Sequence, residues 1–411
     1  MKSRIYLDFA SATPIDKTVL GIMSSYNKDY FANSSSIHGS GVKTREIIEK
    51  SRELIAKGIN AHNNEIIFAG SSTESIALAI RGVITNYQLL IKNLKTDAKS
   101  KIPHIITSEI EHPAVLENCK MLEERGEAEI TYIKINEDGI INPRDVRDAI
   151  KDNTILVSIM YANNEIGTIQ PIQEIAKEIR HYKKNSKQNI YPLFHTDATQ
   201  AMNYLDTSNI EKLGVDMMSF NGSKIYGPKG IGILYKKREV ELSPIYTGGG
   251  QEFGLRSGTE DVAKIAGIAL ALQITNKIKD KEIERLIKLR DYTIDKLLNI
   301  KVGTYKIVLN GSKEERLPNN INISISGIPS ELLVIELDAK GIDVSSKSAC
   351  KSEDESESYV LKALRMASGE EVKEEEGSLR ITLGRQTNKE DMDRFLLALN
   401  KILLKYCNWN K

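Results

Sequence analysis

The chain has 411 residues, longer than the ~250–300 residues at which single cores stop growing, so we expect two domains. The formal net charge is +1 and acidic and basic residues are interspersed, so the chain has no overall electrostatic field that would attract nucleic acid or anionic membranes. We expect no signal or transit peptide from the N-terminal sequence. Three cysteines lack zinc-site spacing and are too few for a disulfide framework, so we expect free thiols and a cytoplasmic protein.

Short runs of β-forming residues alternate with helical periodicity from about residue 60 to residue 235. The strand candidates are residues 65–70, 104–110, 129–135, 154–161, 191–198 and 230–237. Strands that alternate with helices predict an α/β fold with a mostly parallel, doubly wound sheet. Such a sheet binds ligands at the carboxyl ends of its strands, and polar clusters follow several of these runs.

The C-terminal part of the chain has a different pattern. A helical stretch over about 259–298 precedes strand candidates at 320–327, 341–346 and 378–384, which indicates a smaller α+β unit. We therefore predict a large α/β domain from residue 15 to residue 260. Residues 1–14 and 261–411 form the predicted small domain, which carries Cys350.

Lys224 and Asp197 are the first candidate pair for chemistry. Lys224 follows a strand-like run among Ser, Asn and Gly residues, and taken alone it is typical of a solvated loop lysine. Asp197 ends another predicted parallel strand, so the two side chains are expected at the same sheet edge. A lysine that forms a Schiff base and an aspartate at a pyridinium nitrogen are the pair that a pyridoxal-phosphate site needs.

Other strand ends add polar groups that fit the same ligand. Ser72 and Thr73 open a predicted helix, where N–H groups and hydroxyls make a phosphate cradle, although the same residues also suit an ordinary helix cap. His112 follows a strand beside Pro113 and could stack on a pyridine ring, although a lone histidine is more often structural. Asn164 lies at a fourth strand end and could bond to a ring hydroxyl or a carboxylate.

Cys350 is the candidate nucleophile. It lies between Lys347 and Lys351 in a polar segment, whereas Cys119 and Cys407 occupy apolar helical runs typical of buried cysteines. A thiol near positive charge shifts toward the thiolate, which is the nucleophilic form.

Taken together, these motifs resemble the cysteine desulfurases of the NifS/IscS type, in the class V, fold-type I family of pyridoxal-phosphate enzymes. The resemblance runs in order from about residue 4 to residue 400. It rests on the blocks YLDFASATP (6–14), FANSSSIHGSG (31–41), STES (72–75), EIEHPAV (109–115), SIMYANNEIGT (158–168), HTDATQ (195–200), SFNGSKIYGPKGIG (219–232), GGGQEFGLRSGT (248–259), SSKSAC (345–350) and LRITLGR (379–385).

The resemblance implies a role for each matching residue. Lys224 is the Schiff-base lysine, Cys350 the sulfur-accepting nucleophile and His112 the stacking imidazole that handles protons. The implied cofactor ligands are Ser72, Thr73, Asn164, Asp197, Gln200, Asn221, Ser223 and Lys224, with Thr259, and Arg256 beside it, reaching the phosphate of a second subunit. Asn164 and Arg380 are the implied substrate ligands, because a guanidinium fork suits a carboxylate. No resident metal is expected, although Cys350 could transiently ligate a [2Fe–2S] cluster.

The implied reaction converts L-cysteine to L-alanine and leaves the sulfur as a persulfide on Cys350. The implied partners are a second copy of the chain with shared active sites and a sulfur acceptor, either an iron–sulfur scaffold or a tRNA-thiolation protein. One departure from the family pattern is Ser223, where a histidine is usual, and it bears on cofactor affinity. Two alternatives stay open: another fold-type I enzyme, such as a selenocysteine lyase or an aminotransferase, or an inactive scaffold homologue.

Overall fold

The computed structural model describes residues 4–93, 102–186, 190–346, 358–369 and 376–409. The helices are α1 (Lys17–Asp29), α2 (Gly39–Gly58), α3 (Ser72–Asn93), α4 (Pro113–Glu124), α5 (Pro143–Asp148), α6 (Ile172–Asn185), α7 (Ile210–Leu213), α8 (Val262–Leu298), α9 (Ser330–Asp338), α10 (Tyr359–Ser368) and α11 (Lys389–Trp409). The strands are β1 (Ile5–Tyr6), β2 (Ile66–Ala69), β3 (His104–Ser108), β4 (Glu129–Ile133), β5 (Thr154–Ser158), β6 (Leu193–Asp197), β7 (Met217–Asn221), β8 (Gly232–Lys236), β9 (Ile307–Leu309), β10 (Asn320–Ser326), β11 (Ile342–Asp343) and β12 (Glu376–Thr382).

The largest sheet of the described residues has the strand order β2–β8–β7–β6–β5–β3–β4. Strands β4, β3, β5, β6 and β7 run parallel, and β8 pairs antiparallel with both β7 and β2. The helices between the parallel strands provide the long crossovers that parallel pairing requires. The predicted α/β fold with a mostly parallel sheet is confirmed.

The parallel strands carry apolar side chains on both faces, because helices cover both sides of the sheet. Ile106, Val157 and Phe194 contribute to one hydrophobic core, and their neighbours Leu156 and Leu193 contribute to the core on the opposite face. Continuous apolar runs are expected for parallel strands that are buried on both sides. Because helices cover both faces, we expect a ligand to bind at the strand ends.

A second unit contains the antiparallel sheet β12–β10–β9 and the parallel pair of β1 with β11. Its core includes Ile323 and Phe395. Helix α8 contributes to two cores, because Leu272 packs with the core of the large sheet and Leu297 with that of the second unit. Val360 of α10 also packs with the large-sheet core. The division at residue 260 therefore stays a prediction.

The N-terminal segment connects the two units. Strand β1 pairs with β11, and Leu7 O then accepts a hydrogen bond from Thr382 N at 2.8 Å. A few residues later, Thr13 donates through both its N–H and its hydroxyl to Ser223 O, at 2.9 and 3.0 Å. The segment is therefore held from the small sheet to the turn that carries Lys224. Within the described ranges, no helix is both long and apolar enough to cross a membrane.

Candidate active site

A cavity of about 200 Å³ opens at the carboxyl ends of the central parallel strands. Its lining combines short hydroxyls, amides and charged groups with few apolar side chains. The lining residues are Ala10, Ser11, Ser71, Ser72, Thr73, His112, Met160, Ala162, Asn164, Asp197, Thr199, Gln200, Asn221, Ser223, Lys224 and Arg380. This is the edge at which doubly wound sheets bind their ligands.

Lys224 reaches the cavity from a short 3₁₀ turn, Gly222–Lys224, that follows β7 directly. The turn is tight: a Cβ on Gly222 would lie 2.4 Å from Pro228 O, so only glycine fits there. The lysine Nζ donates a hydrogen bond to Ser11 O, and the Asn203 amide donates to the lysine's own carbonyl. The amine and its backbone are thus both held in place.

Asp197 is the last residue of β6, and it is buried. Its Oδ1 accepts a hydrogen bond from Thr199 N at 2.9 Å, which fixes the carboxylate as the chain turns away from the sheet. The carboxylate of Asp197 also acts on the pKa of His112, so the two side chains lie within electrostatic reach. A buried carboxylate in this position can hold a proton on a basic ring nitrogen.

His112 caps the N-terminus of α4. Its Nδ1 accepts a hydrogen bond from Ala114 N at 3.1 Å, which places the proton of a neutral imidazole on Nε2. Burial lowers the pKa of His112 below its ordinary value; the positive charge of Lys224 lowers it further, and the negative charge of Asp197 opposes this. The ring is therefore neutral at pH 7, and Nε2 is the atom that can exchange a proton.

The start of α3 presents N–H groups and hydroxyls to the cavity. Asn221 Nδ2 donates to Ser72 Oγ at 2.7 Å, and Ser223 Oγ donates to Asn221 Oδ1 at 3.0 Å, so the lysine turn is linked to the helix start. A Cβ on Gly232 would lie 2.2 Å from Ser71 C, so glycine lets β8 pass close behind this loop. A helix N-terminus with flanking hydroxyls suits a phosphate group.

The opposite wall of the cavity is built around Arg380, which is 1% exposed. Its Nη2 donates to Asp8 Oδ1 at 2.8 Å and to Ser11 Oγ at 2.7 Å, and its Nη1 donates to Asn164 O at 3.1 Å. Gln200 Nε2 donates to Ala10 O at 3.0 Å, which ties the N-terminal segment to the turn after β6. This wall thus joins one cation to one carboxylate.

The residues of the cavity fit pyridoxal phosphate. Among the described residues, three buried polar atoms of the cavity lining, Asn164 Oδ1, Thr199 Oγ1 and Arg380 Nε, have no hydrogen-bond partner, and buried polar atoms are rarely left so. These atoms can hydrogen-bond to polar groups of a ligand. The start of α3 provides donors for a phosphate group, and Lys224 provides the amine. This donor set matches a ring, a phosphate and an aldehyde.

The structure brings most of the sequence-predicted site residues into one lining. These are Ser72, Thr73, His112, Asn164, Asp197, Gln200, Asn221, Ser223, Lys224 and Arg380. Thr259 is exposed and does not line this cavity, and Arg256 pairs with Glu74 at 2.9 Å. Cys350 and its flanking lysines lie outside the described residues. The individual roles stay predictions.

Sequence reasoning assigned no role to Asp8, Ser11 or Thr199. Asp8 and Ser11 fall in the block at residues 6–14, where two polar side chains stand inside an apolar run directly after β1. That contrast was an available signal. Thr199 follows Asp197 by two residues, as a residue of the same turn.

Glu111, the neighbour of His112, is fully buried, and burial raises its pKa to about 8. Its Oε1 accepts hydrogen bonds from Ser108 Oγ at 2.7 Å and Met160 N at 2.8 Å. With that pKa the carboxyl group is mostly protonated at pH 7. Asp197 is then left as the negative charge for a bound ring, because Glu111 adds none beside it.

The chain is similar in sequence and in structure to known proteins. The model of the family described as Aminotransferase class-V matches residues 5–395. A protein of Dictyoglomus turgidum described as cysteine desulfurase IscS is 43% identical over 98% of this chain and 96% of its own length. One from Archaeoglobus fulgidus, described as cysteine desulfurase IscS 1, is 40% identical over 97% and 96%. A solved structure described as a NifS-like protein superposes with a TM-score of 0.85 at 32% identity, covering 97% of this chain and 99% of that one.

Proposed function

The chain belongs to the aminotransferase class-V family, and from this premise we propose how its residues carry out cysteine desulfuration. It is a pyridoxal-phosphate-dependent enzyme with the activity of a cysteine desulfurase, and relatives that are 37–43% identical over nearly its whole length are described as cysteine desulfurases. L-cysteine is the substrate, and its sulfur passes to an acceptor. The role of each residue in this reaction is our proposal.

Lys224, Asp197 and the start of α3 hold the cofactor in our proposal. Ser72 and Thr73 bind the phosphate together with the first N–H groups of α3, and Ser223 joins them through Asn221. When bound, pyridoxal phosphate supplies an aldehyde that joins the substrate amine and a protonated ring that withdraws electrons from the substrate Cα. Asp197 would keep the proton on the ring nitrogen, and His112, as a neutral imidazole, would pack against the ring.

The proton at the substrate Cα is moved by Lys224. Its Nζ donates to the carbonyl of Ser11 on the wall built around Arg380, so the amine lies between the two walls of the cavity, where a substrate must bind. Arg380 binds the substrate carboxylate on that same wall. Arg380 would thus orient the amino acid, and Lys224 Nζ, as a neutral amine, would take up the Cα proton.

Sulfur transfer requires a nucleophile, and we assign that role to Cys350. The Cys350 thiolate attacks the sulfur of the substrate, so that an S–S bond forms while the Cβ–S bond breaks. The substrate Cβ keeps the electron pair of the broken bond and takes up a proton, which yields L-alanine. His112 Nε2 is our candidate for the group that exchanges protons with the substrate sulfur or carbon.

The observation that carries this proposal is the common cavity of Lys224, Asp197 and His112. They come from the ends of β7, β6 and the loop after β3, and they face phosphate donors at the start of α3. The effect of both Asp197 and Lys224 on the pKa of His112 supports this proposal. A lysine, a carboxylate and a neutral imidazole at one sheet edge support cofactor chemistry at the α-carbon of an amino acid.

The direct experiment is to incubate the purified holoenzyme with L-cysteine and a reductant and to quantify L-alanine and sulfide. We expect equal molar amounts of the two products. An aminotransferase would instead yield a keto acid and convert the cofactor to its amine form. An inert scaffold would yield neither product.

We further propose a homodimer with shared sites. Thr259 is exposed, it stays outside its own chain's cavity, and it follows a glycine-rich loop that carries the exposed Phe253. A second copy that contributes Thr259 would complete the phosphate site. The sulfur acceptor is in our proposal an iron–sulfur scaffold or a tRNA-thiolation protein, and the compartment is the reducing cytoplasm, in keeping with Cys119 and Cys407 as free thiols.

A further inference from the structure

The guanidinium group of Arg380 is hydrogen-bonded to other residues of the chain. An arginine has five N–H donors, and three of them are used here: two on Nη2, to Asp8 and Ser11, and one on Nη1, to Asn164 O. The Nε–H is buried and has no partner among the described residues. A buried donor without a partner beside a cavity marks the edge of the guanidinium that is left for a ligand.

Asp8 is held where it is by backbone contacts on both sides. It bridges Thr382 of β12, two residues from Arg380, and its carbonyl accepts hydrogen bonds from Ser11 N and Tyr6 Oη, both at 3.0 Å. The Arg380 side chain is 2% exposed and that of Asp8 is 19% exposed, so the pair is largely shielded from water. A shielded ion pair fixes the direction of the guanidinium, and loss of one partner leaves an uncompensated charge.

Ser11 contacts both cations of the site. Its hydroxyl accepts from Arg380 Nη2 at 2.7 Å, and its carbonyl accepts from Lys224 Nζ. A substrate carboxylate that binds Arg380 through two parallel hydrogen bonds needs the Nε–H and the adjacent Nη2–H. Both N–H groups of Nη2 already donate, one to Asp8 and one to Ser11, so one of these two acceptors has to move away when the carboxylate binds. The neutral hydroxyl of Ser11 is a weaker acceptor than the Asp8 carboxylate, because a hydrogen bond to a charged acceptor is stronger.

We propose that Asp8 is the positioning residue for Arg380: it stays bound to Nη2 and directs the Nε edge at the substrate carboxylate, while the Ser11 hydroxyl is the placeholder that the carboxylate displaces. This inference rests on the proposed function in one respect, the assignment of Arg380 to the substrate carboxylate. Asp8 thereby sets specificity for amino acids over amines without contacting the substrate.

The test compares two small ligands of the holoenzyme, L-alanine and ethylamine, which differ by the carboxylate. Their affinities are measured by calorimetry for wild type, Asp8→Ala, Asp8→Asn and Ser11→Ala. In Asp8→Ala we expect L-alanine to bind about tenfold or more weakly and ethylamine to bind as in wild type, because only the carboxylate contact depends on Arg380. Asp8→Asn keeps an acceptor oxygen and should lose about threefold. Ser11→Ala should bind L-alanine at least as tightly as wild type.

Kinetics with L-cysteine give the second readout. Asp8→Ala should raise KM about tenfold with a smaller change in kcat, since positioning of the carboxylate acts on binding. In an Arg380→Lys background, which keeps the charge and loses the fork, Asp8→Ala should cost L-alanine little further affinity. Should Asp8→Ala fail to fold, Asp8→Asn takes its place in the same cycle.

Three outcomes overturn the proposal: equal losses for L-alanine and ethylamine, unchanged or tighter L-alanine binding in both Asp8 variants, or additive losses in the Arg380→Lys background. Weaker L-alanine binding by Ser11→Ala overturns the placeholder role. If wild-type holoenzyme makes no alanine from cysteine, the proposed function fails. The comparison of L-alanine with ethylamine still decides the role of Asp8.

Discussion

The two walls of the cavity differ in how they are built. One wall, the sheet wall, consists of residues that end or follow parallel strands, such as Asp197 at the end of β6 and Lys224 after β7. The other, the Arg380 wall, joins Asp8 to Arg380, two side chains separated by 372 positions in the chain. One wall comes from local strand–turn units; the other exists only when both ends of the chain meet.

We propose that the two walls have different roles. In this proposal the sheet wall carries the amine, the carboxylate and the imidazole that act on the reacting atoms. The Arg380 wall carries the guanidinium that binds the substrate carboxylate, and Asp8 and Ser11 hold that guanidinium. Changes in the first wall should therefore lower kcat or cofactor retention, and changes in the second should act mainly on KM.

The strongest way to break the first wall is Lys224→Ala. We expect covalent cofactor attachment to disappear and kcat to fall by about a thousandfold or more, since positioned acid–base groups contribute roughly 10²–10⁴ in rate. Borohydride reduction of wild type followed by peptide mapping should place the pyridoxyl group on Lys224. Lys229→Ala is the matched control and should behave as wild type. A pyridoxyl group on Lys229 would overturn the assignment.

Asp197→Asn tests the carboxylate on the same wall. An amide cannot hold the ring proton, so kcat should fall by roughly a hundredfold while KM changes less. Steady-state kinetics and the absorbance of the bound cofactor between pH 6 and pH 9 measure both effects. If this variant keeps wild-type kcat, Asp197 does not support the ring nitrogen.

The two walls also differ in how far the sequence predicts them. Alternating strands and helices indicate the α/β sheet, and residues at strand ends, such as Asp197 and Lys224, are expected to meet because parallel strands share one edge. Nothing local indicates that Asp8 pairs with Arg380, because that contact depends on the parallel pairing of β1 with β11 and on the bridge of Asp8 to Thr382. Such long-range pairings of short strands leave no periodicity in the sequence.

The extent of the helices and cores shows the same limit. The long helix expected over about 259–298 is found at Val262–Leu298, since its periodicity is strong. A helix of this length can bridge two domains, and α8 does contribute to two cores. Which of its residues face each core could not be predicted, because that depends on where the sheets lie. The strand Ile307–Leu309, which pairs with β10, was also missed, because it is three residues long.

Ser223→Ala sharpens the account of the phosphate site. The hydroxyl donates to Asn221, which in turn donates to Ser72 at the start of α3. Its loss should speed cofactor loss on dialysis by up to about a hundredfold, the upper range for hydrogen bonds that involve a charged group. Ser223→His is the companion variant and should retain the cofactor better than Ser223→Ala. Identical retention in wild type and Ser223→Ala would show that Ser223 does not support the phosphate.

The smallest expected effect concerns the acid stability of the large sheet, whose strand β6 ends at Asp197. His195 lies in β6 between Ser158 Oγ and Ser219 Oγ, at 2.9 and 3.0 Å, and burial lowers its pKa from 6.5 to about 3. Below pH 6.5 the unfolded chain binds this proton and the folded chain does not, so the free energy of unfolding falls with the pH. The expected loss is about 2 kcal/mol between pH 7 and pH 5.

His195→Gln should remove that share of the pH dependence, which chemical denaturation at both pH values measures. The free energy of unfolding of the variant is lower at pH 7, because a fitted side chain is lost, but it should fall less on acidification. An equal fall for wild type and variant would show that His195 does not carry the acid sensitivity.

The most direct test of the central claim, that sulfur passes from L-cysteine to Cys350 in a site whose chemistry depends on Lys224, is mass spectrometry of the intact holoenzyme after one turnover. Cys119→Ala is the matched control, because Cys119 is buried and burial raises its pKa to about 12, far from the thiolate form. We predict one persulfide on Cys350 for each L-alanine released in wild type and in Cys119→Ala, and neither product in Cys350→Ala or Lys224→Ala. Alanine formed at the wild-type rate by Cys350→Ala, with no persulfide on the chain, would contradict the account.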